Sequence, residues 1–178
     1  MIPTAQRREQ PLGRVVDPTW SARPVMGRPT HCGSHPRRAA HPPMEDTTMP
    51  LDADLEALAQ GKNFAALTTL MPDGQPQTQI MWVGADDGQL IINTTVDRQK
   101  FRNVQADPRV TVTVFEADNP YRYIEARGVV SRTQDGPPAA DSINALSEKY
   151  TGGPYGMGPT DVRVILFIDV ERVHKNGY

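Results

Sequence analysis

The sequence predicts an antiparallel β-barrel of six or seven strands with three short helices, spanning residues 50–178. Three observations carry this. Short stretches rich in apolar and β-branched residues recur from Phe64–Met71 to Asp161–Val173. Tight-turn sequences join the first of them, with no helix between the first three, whereas a parallel βαβ fold needs a helix after nearly every strand. Arg109–Phe115 alternates Val110, Val112 and Val114 with Thr111 and Thr113, the period of a half-buried strand.

The elements follow in order. Leu51, Leu55 and Leu58 recur at helical spacing and Gly61 stops the helix. Phe64–Met71 is a strand that ends at the turn Pro72-Asp73-Gly74. Pro76–Val83 and Gln89–Thr94 are the next two strands, joined by a hairpin turn at Asp86-Asp87-Gly88. Asp97–Gln105 is a short helix closed by Asp107-Pro108, and Arg109–Phe115 follows as a strand. Arg122–Arg132 is a long strand, Pro138–Tyr150 a helix with Ile143, Leu146 and Tyr150 on one face, and Asp161–Val173 the final strand.

Residues 1–49 differ in kind. Seven arginines face four acidic residues there, a net +3 that leaves −5 on the other 129 residues, and eight prolines interrupt any apolar period. Such a stretch buries too little apolar surface to offset its chain entropy, so a disordered tail is expected. Met44 and Met49 fit a start of translation downstream of Met1. His31, Cys32, His35 and His41 lie close together but match no zinc spacing, so no metal site is expected. With Cys32 alone no intrachain disulfide can form, which points to a reducing compartment, the cytoplasm. The tandem Arg7-Arg8 lacks the apolar stretch of an export signal. No apolar run approaches the roughly 20 residues of a membrane helix. A net charge of −2 gives no reason to expect nucleic acid as partner.

The segment with chemistry in it runs from Asn93 to Val104. Phe101 and Val104 supply an apolar face, leaving Arg98, Lys100, Arg102 and Asn103 free. Arg98 and Lys100 sit in the first turn of the helix, the end where the dipole is already positive. Cations there cost a few tenths of a kcal/mol each unless an anion is present. Free backbone N–H groups, the hydroxyls of Thr94 and Thr95 and two or three cations together make a phosphate cradle. The same residues also suit a solvated basic face paired with Glu116 or Asp118, and spacing alone does not choose. No Ser/His/Asp arrangement is present, His174 reads as a surface residue, and no Gly-x-Gly-x-x-Gly opens a helix. Glu125 and Arg127 point outward together, and Trp82 suits a core or a ring-facing position equally.

The stretch Arg98-x-Lys100-x-Arg102-Asn103, followed by Asp107-Pro108-Arg109-Val110, resembles the cofactor helix of the pyridoxamine-phosphate-oxidase-like split β-barrels. More closely it is similar to their flavin/deazaflavin oxidoreductases of group B, which use coenzyme F420. Ala66–Leu70 with Asp73-Gly74 and Pro76-Gln77 resembles the family's first hairpin, Asn119–Gly128 its long central strand, and Lys149–Gly152 with Pro154-Tyr155 its active-site loop. The likeness runs from Leu51 to Val173 in one order. It implies a homodimer with a cofactor in each of two interface grooves, coenzyme F420 or alternatively FMN. It implies a phosphate held by Arg98 and Lys100 with help from Thr94 and Thr95, a lesser part for Arg102 and Asn103, and a ring faced by Gln77 with Thr78 and Gln79 in reach. The Tyr150–Pro159 loop is expected to come from the other chain and to wall the pocket of a small-molecule substrate, with Tyr150 and Tyr155 as candidate proton donors. The implied reaction is hydride transfer from a reduced deazaflavin to a conjugated organic substrate. An FMN oxidase or flavin reductase, and a non-catalytic cofactor or tetrapyrrole carrier, are the alternatives. The dimer has an expectation of its own: apolar side chains of the Arg122–Arg132 strand need a partner, and a two-fold interface is the commonest way to supply one.

Overall fold

The computed structural model describes residues 50–158 and 160–178. The expectations placed on residues 1–49, a disordered tail and a histidine group without a metal, lie outside them. Helix α1 (Ala53–Gln60) starts at Asp52, whose carboxylate accepts from the backbone N–H groups of Asp54 and Leu55 at 3.1 and 3.2 Å. Eight residues are too few to stay helical alone, so α1 depends on burying Leu55, Leu58 and Ala59 against the barrel. Lys175, near the end of the chain, reaches back to Asp52 and Asp54 at 2.8 and 2.6 Å.

Seven strands follow: β1 (Phe64–Leu70), β2 (Pro76–Trp82), β3 (Gly84–Asp86), β4 (Gln89–Thr95), β5 (Arg109–Phe115), β6 (Tyr123–Asp135) and β7 (Arg163–Asn176). All pairings are antiparallel and the order is β2-β1-β5-β6-β7-β4-β3. The barrel is therefore split: among the described residues β2 bonds only to β1 at one end of the sheet and β3 only to β4 at the other. The sequence pattern predicts no separate β3. Its three residues are the near arm of a hairpin whose turn, Asp87-Gly88, has positive φ at both residues, as a two-residue hairpin loop requires.

The alternation in β5 buries Val110, Val112 and Val114, which meet Leu67 of β1, Ile124 of β6 and Leu166 of β7 in one core. That placement corrects the argument for the dimer. The apolar side chains Ile124 and Ala126 of the central strand lie inside this chain's own barrel, and Glu125 and Arg127 on its outer face form an ion pair with each other at 3.0 Å. β6 and β7 bend around the barrel by register shifts at Arg127/Gly128 and Val130/Arg132.

Helix α3 (Pro137–Thr151) lies outside the barrel, with Ile143, Leu146 and Tyr150 packed against Trp82. The Trp82 and Tyr150 rings stack at 5.1 Å, so Trp82 packs against α3. Lys149 fastens α3 in place by donating to the carbonyls of Ala59 and Val83 at 2.8 and 2.6 Å. Burial outweighs those acceptors and holds its ammonium down at about 8, against 10.5 for a free lysine. Between these values the unfolded chain keeps a proton that the folded one has released, so stability rises with pH. We expect the urea midpoint of the wild type to increase from pH 8 to pH 9.5, short of the tyrosine range. In Lys149→Met that increase should shrink to the share contributed by Lys100, whose pKa burial also lowers.

Candidate functional site

Helix α2 (Gln99–Ala106) begins two residues later than its sequence pattern suggests. Arg98 is its N-cap, in extended conformation and with no side-chain cap bond, so the first backbone N–H groups of the helix lack the usual capping acceptor. The helix buries Lys100, Asn103 and Val104. Two polar residues thus share the inward face with one apolar residue, and they meet different fates.

Asn103 is fully buried and spends its side chain inside the protein. Its amide N–H group donates to Thr69 at 2.9 Å and to the Gln77 oxygen at 3.4 Å, and its oxygen accepts from Gln99 at 2.8 Å. It orients Gln77 and is not itself open to a ligand. Lys100 is 8% exposed, and among the described residues no carboxylate lies within ion-pair distance of it. Burial lowers its pKa and the neighbouring Arg98 lowers it further. A buried, unpaired ammonium beside a second cation is a costly arrangement unless something anionic joins it.

The space for an anion is present. A cavity of about 160 Å³ is lined by Met81 of β2, by Asn93, Thr94 and Thr95 of β4, by Arg98 and Lys100, and by Tyr155, Asp161 and Arg163. It lies where the two ends of the split sheet approach, with β2 on one side and β4 on the other. Two buried polar atoms of its lining residues have no partner among the described residues, Asn93 Oδ1 and Arg163 Nε. Thr95 gives its hydroxyl proton to Asp97, and that bond holds the Asp97 carboxyl below its ordinary range. A phosphate group suits this wall: uncapped N–H groups, three cations, and an unspent guanidinium donor.

The structure therefore gathers Thr94, Thr95, Arg98 and Lys100, and sets other expected residues elsewhere. Arg102 is exposed and folds back onto its own helix, donating to the Asp97 carbonyl at 2.8 Å and to Gln99 at 3.2 Å. Along β2, Gln77 and Gln79 share the face of Met81, opposite Thr69 and Leu67 of β1. Thr78 points to the other face, bonded to the Thr68 hydroxyl at 2.8 Å. Tyr150 is buried, and its hydroxyl donates to the Asn63 carbonyl and accepts from Val83 N–H at 3.3 Å. Burial raises its pKa, so it serves as a strut and is badly placed to deliver a proton. Tyr155 lines the cavity of its own chain, although the loop was expected to serve the partner's. His174 is exposed on β7.

Sequence reasoning did not put Asn93, Asp161 or Arg163 at the site. The one signal was Arg163 itself, a charge at the head of the apolar run Val164–Ile168. A larger cavity of about 610 Å³ lies beside α3, between Phe167, Leu146 and Lys149. Its lysine is already engaged by two carbonyls, so the anion chemistry belongs to the smaller cavity.

Comparison with known proteins agrees with this fold. The family model described as pyridoxamine 5'-phosphate oxidase matches residues 51–176. A solved structure named F420 reductase is 36% identical, over 67% of this chain and 94% of that one, with a TM-score of 0.59. A conserved hypothetical protein from Mycobacterium tuberculosis is 24% identical, over 74% of this chain and 88% of that one, with a TM-score of 0.56. A heme storage protein from Vibrio cholerae is 13% identical over 73% and 97% of the two chains, with a TM-score of 0.53. The last two likenesses speak to the fold alone. No curated protein matches the chain. Among the described residues no helix is long and apolar enough to cross a membrane.

Proposed function

The chain belongs to the pyridoxamine 5'-phosphate oxidase family, and from that premise we propose that it is an oxidoreductase holding coenzyme F420, with the cofactor phosphate in the Arg98–Lys100 cavity. The observation that carries the proposal is Lys100, buried beside Arg98 with no carboxylate among the described residues to neutralise it. The likeness to the F420 reductase favours the deazaflavin over FMN.

When bound and reduced, the deazaflavin supplies a hydride to a conjugated organic substrate. The protein's own residues bind and orient. Arg98, Lys100 and the start of α2 neutralise the phosphate, while Thr94 and Thr95 close the cavity from β4. Gln77, held by Asn103, and Gln79 present amides on the β2 face that continues from Met81. Tyr155 stands at the phosphate end of the pocket and the Tyr150 hydroxyl is spent on main chain, so in this proposal the proton comes from water.

Two chains complete the pocket in this proposal. Their contact is the outer face of β1 and β2, where Phe64 and Ile80 remain 36% and 60% exposed. That is the apolar surface a two-fold interface would cover, in place of the central strand. Turnover tests the function. Protein mixed with reduced coenzyme F420 and a panel of conjugated acceptors should oxidise the cofactor, seen as returning deazaflavin absorbance. Oxidation of FMN's reduced form alone would reassign the cofactor. Tight binding without turnover of either would make the protein a carrier.

A further inference from the structure

The residue that opens β7 has more donors than its surroundings use. Arg163 precedes five consecutive buried residues, Val164–Ile168, and its register partner is Thr95, three positions before the N-cap of α2. That register brings its side chain to the cation cavity, which Lys100 also lines. The side chain is 9% exposed. Its guanidinium lies 4.2 Å above the Tyr155 ring, which fixes the plane of the group without using any of its N–H donors. Among the described residues its one nearby carboxylate, Asp161, stands off at 3.8 Å, and its Nε is buried with no acceptor. A buried guanidinium is ordinarily paired by a planar or tetrahedral oxyanion that takes several N–H groups at once. Within the described residues Asp161 offers one long contact and nothing accepts from Nε, and the cavity in front of Arg163 is the space for an oxyanion that would.

We propose that Arg163 is a third phosphate-binding residue of this cavity, held in place by Tyr155 and completing from β7 the cradle that Arg98 and Lys100 begin from α2. The assignment rests on the cofactor reading above. It gives Tyr155 a positioning role through Arg163, and it gives Asp161 an opposing one, since its carboxylate shares the cavity and repels the ligand's charge. A purely structural Arg163 would behave differently. It would serve Asp161, and neutralising either residue would have the same consequence.

The test is a titration of coenzyme F420, followed by its fluorescence, into wild type, Lys100→Ala, Arg163→Met, Arg163→Lys and Asp161→Asn. Melting curves without cofactor confirm that each variant is folded. Arg163→Met should weaken binding by about tenfold or more, and Arg163→Lys by less, because a point charge replaces the fork. Asp161→Asn should tighten binding. The inference is overturned, with the cofactor reading intact, if Lys100→Ala weakens binding while both Arg163 variants stay within about twofold of wild type. It is also overturned if Asp161→Asn weakens binding as Arg163→Met does. If no cation variant weakens binding, the cofactor reading itself fails and takes this one with it. Should Arg163→Met not fold, Arg163→Lys and Asp161→Asn carry the test by their opposite signs.

Discussion

Gly128→Ala is expected to destabilise the protein by about 3 kcal/mol or more, enough to consume much of a small domain's stability. Gly128 sits at the first register shift between β6 and β7. A Cβ there would fall on the Asp169 carbonyl oxygen, 2.9 Å from its carbon and 3.1 Å from Val170 Cα. All three are backbone atoms, so no side-chain rotation relieves the clash. One strand must move away from the other, and these two strands carry the bend of the barrel. The effect reaches the site, because β7 also begins with Arg163 and pairs with β4 from Leu90 to Thr95. Urea unfolding of wild type and Gly128→Ala measures it. A difference below about 1 kcal/mol would show that the strands are not so closely apposed.

Lys100→Ala should act in the opposite way, sparing the fold and damaging the ligand site. Its ammonium is buried, repelled by Arg98 and placed at the positive end of a helix, so removing it relieves cost in the cofactor-free protein. With phosphate bound, the same ammonium makes a charge-assisted bond of roughly 1.5–3 kcal/mol. Cofactor affinity should therefore drop about ten- to a hundredfold while the melting temperature without cofactor holds or rises. Arg98→Ala should weaken binding as well. Lys62→Ala, on an exposed residue between α1 and β1, should leave affinity alone. A Lys100→Ala protein that melts early and binds normally would mark Lys100 as a packing residue.

Much of the barrel was legible in the residues because its strands obey simple periods. Val110, Val112 and Val114 alternate with threonines, and Asp87-Gly88 can turn only a tight hairpin. The pair Arg98 and Lys100 was legible for a related reason: cations at a helix start contradict the dipole, and a contradiction of that kind is local. What stayed hidden depends on tertiary contact. Asn103 and Lys100 occupy the inward face of α2 beside Val104, so sorting that helix by polarity turned Asn103 outward. The Tyr150 hydroxyl bonds main chain 87 and 67 positions away, and no local pattern marks a tyrosine for that use. Arg163 looked like a break in an apolar run until its register with Thr95 brought it to the cavity.

The claim at the centre is that the Lys100 cavity holds the phosphate of a flavin-type cofactor. Its most direct test is a pair of titrations of the wild-type protein, one with coenzyme F420 and one with FMN, each repeated with inorganic phosphate present as competitor. Saturable binding of coenzyme F420, one per chain and weakened by phosphate, is the predicted result. Saturation by neither cofactor, or binding that phosphate leaves unmoved, would contradict it.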